Sequence, residues 1–296
     1  MLEFKKIEIS DLDIIKKYMK RQPFRACDFT IFGIFLWADY YNYTYCVYED
    51  TFFLKGRSDG KICDFAVPFG SLNTKTAIGY IKDYCNENNI TPRFYFVPES
   101  ALDFFENANV NQMVGWSDYV YSAEAMKTLK GKRFSKKRNR LNKFSKKCKF
   151  KIGHKCRFES ITPENINRAR EFFGEYLSEY KKDDPHFKVE SELIYRAFDI
   201  FFELEQTGGI LLVDEKVVAM TIGEAIGDTL YVHVEKALRQ YEGAYEAINH
   251  AYANKYATES IKYINREEDM GDEGLRQAKR AYNPVFMINK YEIFLD

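Results

Sequence analysis

The spacing of apolar positions along the chain predicts strands and helices in alternation. Apolar residues recur at every second position in some segments and at every third or fourth in others, which indicates strands and helices respectively. In residues 75–88, for example, Ala77, Ile78, Ile81 and Cys85 fall on one face of a helix. In the N-terminal half, the pattern predicts strands over residues 3–9, 43–48, 51–55, 61–67, 93–97 and 118–121 and helices over residues 11–20, 29–39, 75–88 and 99–106.

The C-terminal half repeats this order of elements. Thr162 precedes Pro163, and this pair is typical of a helix start because proline is tolerated at the first helical position. The pattern predicts strands over residues 158–161, 209–213, 217–224, 229–235, 261–265 and 285–294 and helices over residues 163–180, 190–205, 242–256 and 273–281.

The order of elements in each half resembles that of the GNAT acyltransferase fold. Each half reads as a strand, two helices, three antiparallel strands, a helix, a strand, a helix and a strand. The two halves do not match residue for residue, so the repeat lies in the order of elements alone. We therefore predict an α+β protein of the three-layer type. It contains two tandem GNAT-like domains, each a mixed, twisted sheet flanked by helices, over residues 1–125 and 158–296, joined by a basic helical arm over residues 126–157.

Charge is concentrated in that arm. Residues 130–157 contain fourteen Lys or Arg and no Asp or Glu, although the 296-residue chain as a whole carries 44 basic and 44 acidic residues. A solvated face normally mixes signs, so this excess favours a polyanion as partner: a tRNA acceptor arm, another phosphate-rich molecule or an anionic membrane surface. The residues predicted to contact it are Lys132, Lys136, Lys137, Arg138 and Arg140.

The same stretch also fits a plainer interpretation. Leu129, Phe134, Leu141 and Phe144 mark a partial apolar stripe, so the arm is also consistent with an amphipathic helix whose charges are only solvated.

Composition narrows the classes of cofactor and location. The six cysteines are scattered, with no C-x-x-C pair, and we expect no metal and no redox cofactor. The first residues are charged and lack the apolar core of a leader peptide. The longest apolar run is far too short to cross a bilayer. We therefore expect a cytoplasmic protein with no transmembrane segment. A separate prediction is that its second substrate is a small-molecule acceptor.

A glycine turn follows the third antiparallel strand of the second half. In the GNAT fold the turn Q/R-x-x-G-x-G/A exposes backbone N–H groups to a pyrophosphate at a helix start. Gln240 and Gly243 match this pattern, and Tyr245 stands at the place of the small last residue. All three are predicted to bind substrate. The bulk of Tyr245 would crowd a pyrophosphate, so an N-acetyltransferase that uses acyl-CoA remains only an alternative.

Two further segments resemble a known pair of families. They are residues 274–284, GLRQAKRAYNP, followed by Lys290 and Tyr291, and residues 118–121, DYVY, followed by LKGKRFSKKRN. They resemble the Fem-type peptidoglycan aminoacyltransferases and the soluble C-terminal domain of phosphatidylglycerol lysyltransferases, over most of the chain. The resemblance implies two GNAT domains that take an amino acid from aminoacyl-tRNA. It also implies that Lys279 faces the reaction centre and stabilises a phosphate or an oxyanion, and it adds Lys290 as a substrate-binding residue.

The residues themselves suggest further site candidates in the second half. Arg266 follows the fifth strand and is suited to a carboxylate or phosphate, and Glu267 or Asp269 to an amino group or a proton. Alternatively, Asp269 only caps the next helix and Lys279 is a solvated helix lysine.

The strand before the glycine turn adds two more candidates. His233 and Glu235 alternate with apolar residues and share a face with Tyr231, which suggests an acid–base set. A histidine in such a strand is also typical of a core position. Tyr282 is a candidate general acid or a core residue.

These features predict an enzyme. The predicted reaction is aminoacyl transfer from aminoacyl-tRNA to an amine or hydroxyl acceptor, with no cofactor beyond the acyl donor. The alternative is an inactive GNAT scaffold that binds nucleic acid or anionic phospholipid.

Overall fold

The chain forms two compact units. The computed structural model describes residues 2–150, 155–180 and 185–295, so residues 151–154 of the predicted arm lie outside the described part. Unit 1 comprises Met1–Tyr119, Glu267–Arg276 and Met287–Asp296, and unit 2 comprises Val120–Arg266 and Gln277–Phe286. Across the described ranges, none of the helices combines the length and the apolar character needed to cross a membrane.

Unit 1 is built on a mixed sheet with the strand order β1-β2-β3-β4-β6-β15-β7, with β5 paired to β3. Its strands are β1 (Lys5–Lys6), β2 (Thr44–Tyr48), β3 (Thr51–Asp59), β4 (Ile62–Phe65), β5 (Phe69–Gly70), β6 (Thr91–Pro98), β7 (Asn109–Gln112) and β15 (Lys290–Phe294). Its helices are α1 (Leu12–Met19), α2 (Ile31–Leu36) and α3 (Thr74–Glu87). The parallel pair of this sheet is β4 with β6, and β15 runs antiparallel between β6 and β7.

The core of unit 1 is largely aromatic. Helix α3 starts at Asn73, whose side chain accepts a hydrogen bond from the Lys75 N–H. Ala77, Ile78, Ile81 and Cys85 are buried, as the helical spacing predicts. The fully buried phenylalanines of the strands, Phe52, Phe53, Phe65 and Phe94, form much of the remaining interior. Burying side chains of this size is the main favourable contribution to the folding of the unit.

Unit 2 contains a second mixed sheet, whose order is β14-β8-β13-β12-β11-β10-β9. Its strands are β8 (Asp118–Ser122), β9 (Cys156–Ser160), β10 (Thr207–Val213), β11 (Lys216–Ile226), β12 (Thr229–Ala237), β13 (Tyr263–Asn265) and β14 (Phe286–Ile288), although residues 118, 119, 287 and 288 are counted in unit 1. The helices are α4 (Ala123–Thr128), α5 (Ser135–Phe150), α6 (Ile166–Glu179), α7 (Pro185–Asp199) and α8 (Ala244–Tyr256), with α9 (Glu273–Arg280) divided between the two units. Strand β13 runs parallel to β12 and antiparallel to β8.

Helix α5, which lies within the basic arm, packs into the core of unit 2. Phe144 is buried against Ala244, Ala247 and Ile248 of α8, and Leu141 packs at the edge of this cluster. The helix approaches Gly243, the residue before α8, so closely that a Cβ atom there would lie 2.4 Å from the Arg140 carbonyl oxygen. Gly243 also has φ +89°, a conformation that favours glycine. The arm is therefore part of unit 2.

Most predicted elements of the sequence pattern are confirmed, and the differences are local. Residues 3–9 form only the short strand β1, because a 3-10 turn begins at Ile9 and Asp11 accepts a hydrogen bond from the Glu8 N–H. The predicted helix 99–106 is a 3-10 helix over Glu99–Phe104, and the pattern missed β5, β7 and α4. The predicted last strand, 285–294, is two strands, β14 and β15, and the helix predicted over 190–205 is Pro185–Asp199.

The final strand of each half of the sequence pairs with strands of the other half. Residues 120–122 of β8, predicted to close the first half, pair with β13 in unit 2. Strand β15, predicted to close the second half, pairs with β6 and β7 in unit 1. The units therefore differ from the predicted division at residues 125 and 158, because backbone pairing joins segments that are distant in sequence.

The close approach at Gly243 generates a test of stability. We expect Gly243→Ala to lower the free energy of unfolding by at least about 2 kcal/mol, since it combines left-handed strain with a clash against the α5 backbone. Gly227→Ala is the matched control: Gly227 has φ +58° and nothing within 4 Å of an added Cβ. Urea unfolding should show the larger loss for Gly243→Ala, and equal losses would contradict the proposed packing constraint.

Candidate functional site

Arg266 is at the centre of a buried network in unit 2. It follows β13 directly, and its Nη2 donates to Glu235 Oε1 at 2.7 Å. The other carboxylate oxygen, Glu235 Oε2, accepts from Asn249 Nδ2 of α8 at 2.9 Å. The guanidinium also lies 4.8 Å from the ring centroid of Tyr282. Predicted residues from three separate segments, Arg266, Glu235 and Tyr282, are thus brought together.

Lys137 of α5 also contacts the ring of Tyr282. Its Nζ lies 3.9 Å from the Tyr282 ring centroid and 3.3 Å from Glu246 Oε1. Glu246 Oε1 also accepts from Arg140 at 3.3 Å. Burial lowers the pKa of Lys137, although the Glu246 carboxylate opposes that effect. The Tyr282 ring therefore contacts two cations, Lys137 and Arg266, and burial raises the pKa of its hydroxyl.

One guanidinium nitrogen of Arg266, Nη1, is not used in the network described above. This nitrogen is buried and has no hydrogen-bond partner among the described residues. Leaving a charged donor unpaired in a protein interior costs free energy, and such a group is a candidate for a ligand acceptor atom. The ion pair with Glu235 favours the charged form of the Arg266 guanidinium. The unpaired Nη1 is therefore suited to donate to a carbonyl or anionic oxygen of a ligand.

Lys279 does not present a solvated ammonium group. It is buried, and its Nζ donates to the main-chain oxygen of Arg266. The Tyr121 hydroxyl in turn donates to the Lys279 carbonyl at 2.9 Å. The structure therefore connects Lys279 to the main chain that carries Arg266, and its predicted role at the reaction centre stays a prediction.

His233 and Glu235 have different partners. His233 Nε2 lies 3.0 Å from Glu224 Oε1, and its ring stacks on Tyr231 with an interplanar angle of 11°. Both members of the His233–Glu224 pair are almost completely shielded from solvent. A register shift in the β11–β12 pairing, between Ile222 and Gly223, falls opposite this part of the strand. His233 thus belongs to a core pair, while Glu235 belongs to the Arg266 network.

The glycine turn before α8 is engaged by protein groups. Gln240 Nε2 donates to Glu179 Oε1 at 3.0 Å, and the α5 backbone lies on Gly243. Tyr245 packs at the edge of the α5–α8 core, and burial raises its pKa. A pyrophosphate would have to displace α5 to reach the turn, so this geometry does not favour the usual mode of CoA binding.

One face of α5 is buried and the opposite face is exposed. Lys137 is buried because it shares a helical stripe with Leu141 and Phe144, at spacings of four and three. Arg138 donates to the carbonyl oxygens of Leu129 and Gly131. The exposed cations of α5 include Lys136, Arg140, Lys143 and Lys146, and Lys130, Lys132 and Arg133 are exposed just before the helix. Of the five residues predicted to contact a polyanion, Lys132, Lys136 and Arg140 are therefore exposed, Lys137 is buried and Arg138 is half-buried.

Glu267 and Asp269 belong to unit 1. Asp269 accepts from Arg276 through both carboxylate oxygens at 2.9 Å and from the Tyr119 hydroxyl at 2.6 Å. These hydrogen bonds outweigh burial and lower the pKa of Asp269 to about 2. The main-chain oxygen of Glu267 accepts from Tyr119 N at 3.1 Å. Asp269 thus holds a loop together in unit 1, and its predicted contact with substrate stays a prediction.

Lys290 is a fully buried residue of unit 1. Its Nζ lies 2.6 Å from Asp28 Oδ2, 2.7 Å from Asp118 Oδ1 and 3.2 Å from Cys27 Sγ. Cys27, Asp118 and Glu268 have the spacing of a metal-binding group. The ammonium of Lys290 already bonds to this donor set, so the charge that a metal would supply is present as a side chain.

Several members of these clusters escaped the sequence analysis. Glu246 and Asn249 were missed although they lie three residues apart on α8, a spacing that places them on one face. The position of Lys137 in the apolar stripe of α5 was the signal for its burial. The Lys290 cluster offered no such signal, because its residues come from segments far apart in sequence.

Comparison with known proteins identifies the family. The sequence profile described as phosphatidylglycerol lysyltransferase, C-terminal, matches residues 22–294. The chain belongs to this family. The predicted resemblance is thereby confirmed, and family and fold together indicate a transferase of acyl or aminoacyl groups.

Solved structures support the tandem fold. A conserved protein of unknown function from Bacteroides thetaiotaomicron is 30% identical, with a TM-score of 0.92 and 100% of both chains covered. The structure of L-PGS from Bacillus licheniformis is 13% identical, with a TM-score of 0.67, and the match covers 95% of this chain and 91% of that one. A tandem GNAT protein from the clavulanic acid biosynthesis pathway is 7% identical, with a TM-score of 0.52 and coverage of 100% and 98%. The predicted tandem GNAT-like fold is confirmed.

A curated relative matches only in part. It is an uncharacterized protein of Mycoplasmoides gallisepticum, 23% identical over 185 residues, which are 59% of this chain. The match spans 55% of the length of that relative.

The buried position of Lys137 can be tested against its neighbour. We expect Lys137→Ala to lower the free energy of unfolding by about 3 kcal/mol, because it removes one partner of a buried ion pair. Lys136→Ala, one residue away on the exposed face, should change it by less than about 0.5 kcal/mol. Chemical denaturation of both variants measures this, and similar values for the two would argue against the burial of Lys137.

Proposed function

We propose that the protein transfers an aminoacyl group from aminoacyl-tRNA to a hydroxyl or amine acceptor. The observation that carries this proposal is that a single helix, α5, serves unit 2 in two ways. Its exposed face carries Lys136, Arg140, Lys143 and Lys146, and its buried face supplies Lys137 to the Tyr282 ring that Arg266 also contacts. The description of the family as lysyltransferases supports the choice of an aminoacyl group.

The exposed face of α5 suits a phosphate backbone. Arg140 pairs with Glu246 and Lys143 with Glu242. Among the described residues, Lys136 and Lys146 of α5 and Lys132 of the 3-10 turn before it have no ion-pair partner. Lysines arranged in this way bind phosphates without regard to sequence, and binding gains from the release of counterions. A tRNA acceptor arm is a partner of this kind.

The Arg266 network suits the chemistry of the ester. In the proposed reaction the acceptor N or O attacks the carbonyl carbon, the bond to the ribose oxygen of the tRNA breaks, and the acceptor proton passes to that oxygen. Negative charge develops on the carbonyl oxygen, and the spare Nη1 of Arg266 would stabilise it. Lys279 acts as a positioning residue, since it holds the main chain of Arg266.

One alternative remains specific enough to test. The exposed lysines would also bind an anionic phospholipid surface, in which case the unit is a binding module without chemistry. Vesicles of phosphatidylglycerol, compared with vesicles of phosphatidylcholine, distinguish a lipid partner from tRNA.

Charge removal on α5 tests the donor. We expect the double variant Lys136→Ala/Lys146→Ala to bind bulk tRNA more weakly and to reduce the slope of log K against log salt by about 2, roughly one for each lysine. Lys255→Ala/Lys262→Ala is the matched control, because both lysines are exposed in unit 2 and lie outside α5. Filter binding at several salt concentrations measures the slopes. Equal slopes for the two double variants would reject α5 as the docking surface.

Substitution of Arg266 tests the chemistry separately. We expect Arg266→Lys to slow transfer from a mixed aminoacyl-tRNA pool to hydroxylamine, a small surrogate nucleophile, by about 10²-fold to 10³-fold with unchanged tRNA affinity. Arg276→Lys, which alters an arginine paired with Asp269 in unit 1, is the control. If wild-type protein does not accelerate transfer to hydroxylamine or to phosphatidylglycerol, the binding-module alternative is preferred.

A further inference from the structure

Unit 1 contains a small cavity that none of the predicted roles uses. It has a volume of about 30 Å³, and its walls include the rings of Phe29, Tyr41, Tyr43, Tyr95 and Phe96. Asp28, Asp64 and Arg57 also line it. A cavity of this size holds a group somewhat larger than a water molecule. We propose that this cavity binds an organic ammonium group, held by the aromatic rings and by the Asp28 carboxylate.

The charges around the cavity favour a cation. Asp28, which lines the cavity, lies with Asp118 and Glu268 around the ammonium of Lys290, at 2.6, 2.7 and 3.9 Å from its Nζ. Asp64 pairs with Arg93 at 2.6 Å. Arg57 supplies one further positive charge and donates to the Tyr40 carbonyl at 2.7 Å. When all of these side chains are ionised, the four carboxylates exceed the three cations by one, and a bound ammonium would neutralise that excess.

Asp28 is the carboxylate placed to meet such a ligand. It lines the cavity, and the same side chain contacts Lys290. Burial, with the neighbouring carboxylates, raises the pKa of Asp28 to about 7 against the opposing effect of Lys290. A second cation beside it would favour the ionised form, so ligand binding and ionisation of Asp28 support each other.

The aromatic rings in and beside the cavity already hold cations. Arg57 lies 3.9 Å from the Tyr40 ring centroid, Arg93 lies 5.0 Å from that of Tyr95, and Lys290 lies 5.6 Å from that of Phe96. Within the described part of the chain, no cation is recorded over the ring of Tyr43, which stacks on Tyr41 with ring centroids 5.3 Å apart. Cation–π attraction adds to the charge of Asp28, which makes the site selective for an ammonium over a neutral group of equal size.

Three probes of one shape test the proposal: n-butylammonium, n-butanol and butyrate. Binding to the isotopically labelled full chain is followed through amide chemical shifts. We expect n-butylammonium to bind with a roughly millimolar Kd and at least about tenfold more tightly than n-butanol or butyrate. Shifts should concentrate at residues 28, 41–43 and 95. Equal binding of n-butanol, tighter binding of butyrate, or no binding of n-butylammonium at 100-fold the expected Kd (about 0.1 M) would each overturn the proposal.

Two variants assign the contacts. We expect Asp28→Asn to weaken n-butylammonium binding about tenfold, while Asp59→Asn, which removes an exposed carboxylate of the same unit, leaves it unchanged. Tyr43→Leu should weaken it about fivefold and keep n-butanol binding unaltered, which separates cation–π attraction from packing. Should Asp28→Asn fail to fold, Tyr43→Leu still decides: unchanged n-butylammonium binding in that variant overturns the role of the rings.

Discussion

The packing of α5 on α8 is the contact on which unit 2 depends. The Arg140 carbonyl approaches Gly243 so closely that no side chain fits between the two helices. Glu246, in the first turn of α8, then receives Lys137 and Arg140 from α5. A buried carboxylate without those partners would be costly, so the ion pairs and the glycine fix the same arrangement. This contact turns a segment of extreme charge into part of a core.

Its consequences extend to both the surface and the interior. Since α5 is held by Phe144 and Leu141 on one side, its remaining cations are directed to solvent on the other. The same orientation of α5 buries Lys137 beside Tyr282, the ring that Arg266 also contacts. The helix also covers the turn that binds a pyrophosphate in the GNAT pattern. An acyl donor that is recognised through many phosphates along α5 fits this arrangement better than a donor whose pyrophosphate binds the glycine turn.

In both units, a buried cation is paired with carboxylates. Arg266 and Lys290 are each matched by carboxylates at 2.6 to 2.7 Å, and each lies near aromatic rings. Such clusters contribute little net stability, but they fix geometry because each charge requires its partners. In unit 2 the spare donor is on the cation, whereas in unit 1 the excess lies with the carboxylates. The proposed ligands follow that difference: a carbonyl oxygen for unit 2 and an ammonium for unit 1.

The sequence by itself determined the elements, the tandem fold and the family. Helical and strand periodicity are local properties, and they located α3, α8 and the strands β10 to β12 within a few residues. The sequence also placed Arg266, Glu235 and Tyr282 among the candidates. Polar residues at strand ends and near a helix end are recognisable because they differ from the apolar pattern around them. Only the tertiary structure decided that β15 belongs to unit 1, that Lys279 bonds to a main-chain oxygen and that Lys137 is buried. The pairing of β15 with β6 and of Lys137 with Glu246 joins residues more than a hundred positions apart, and Lys279 meets Arg266 across a strand end and a loop. No local pattern encodes which partner each of these residues meets.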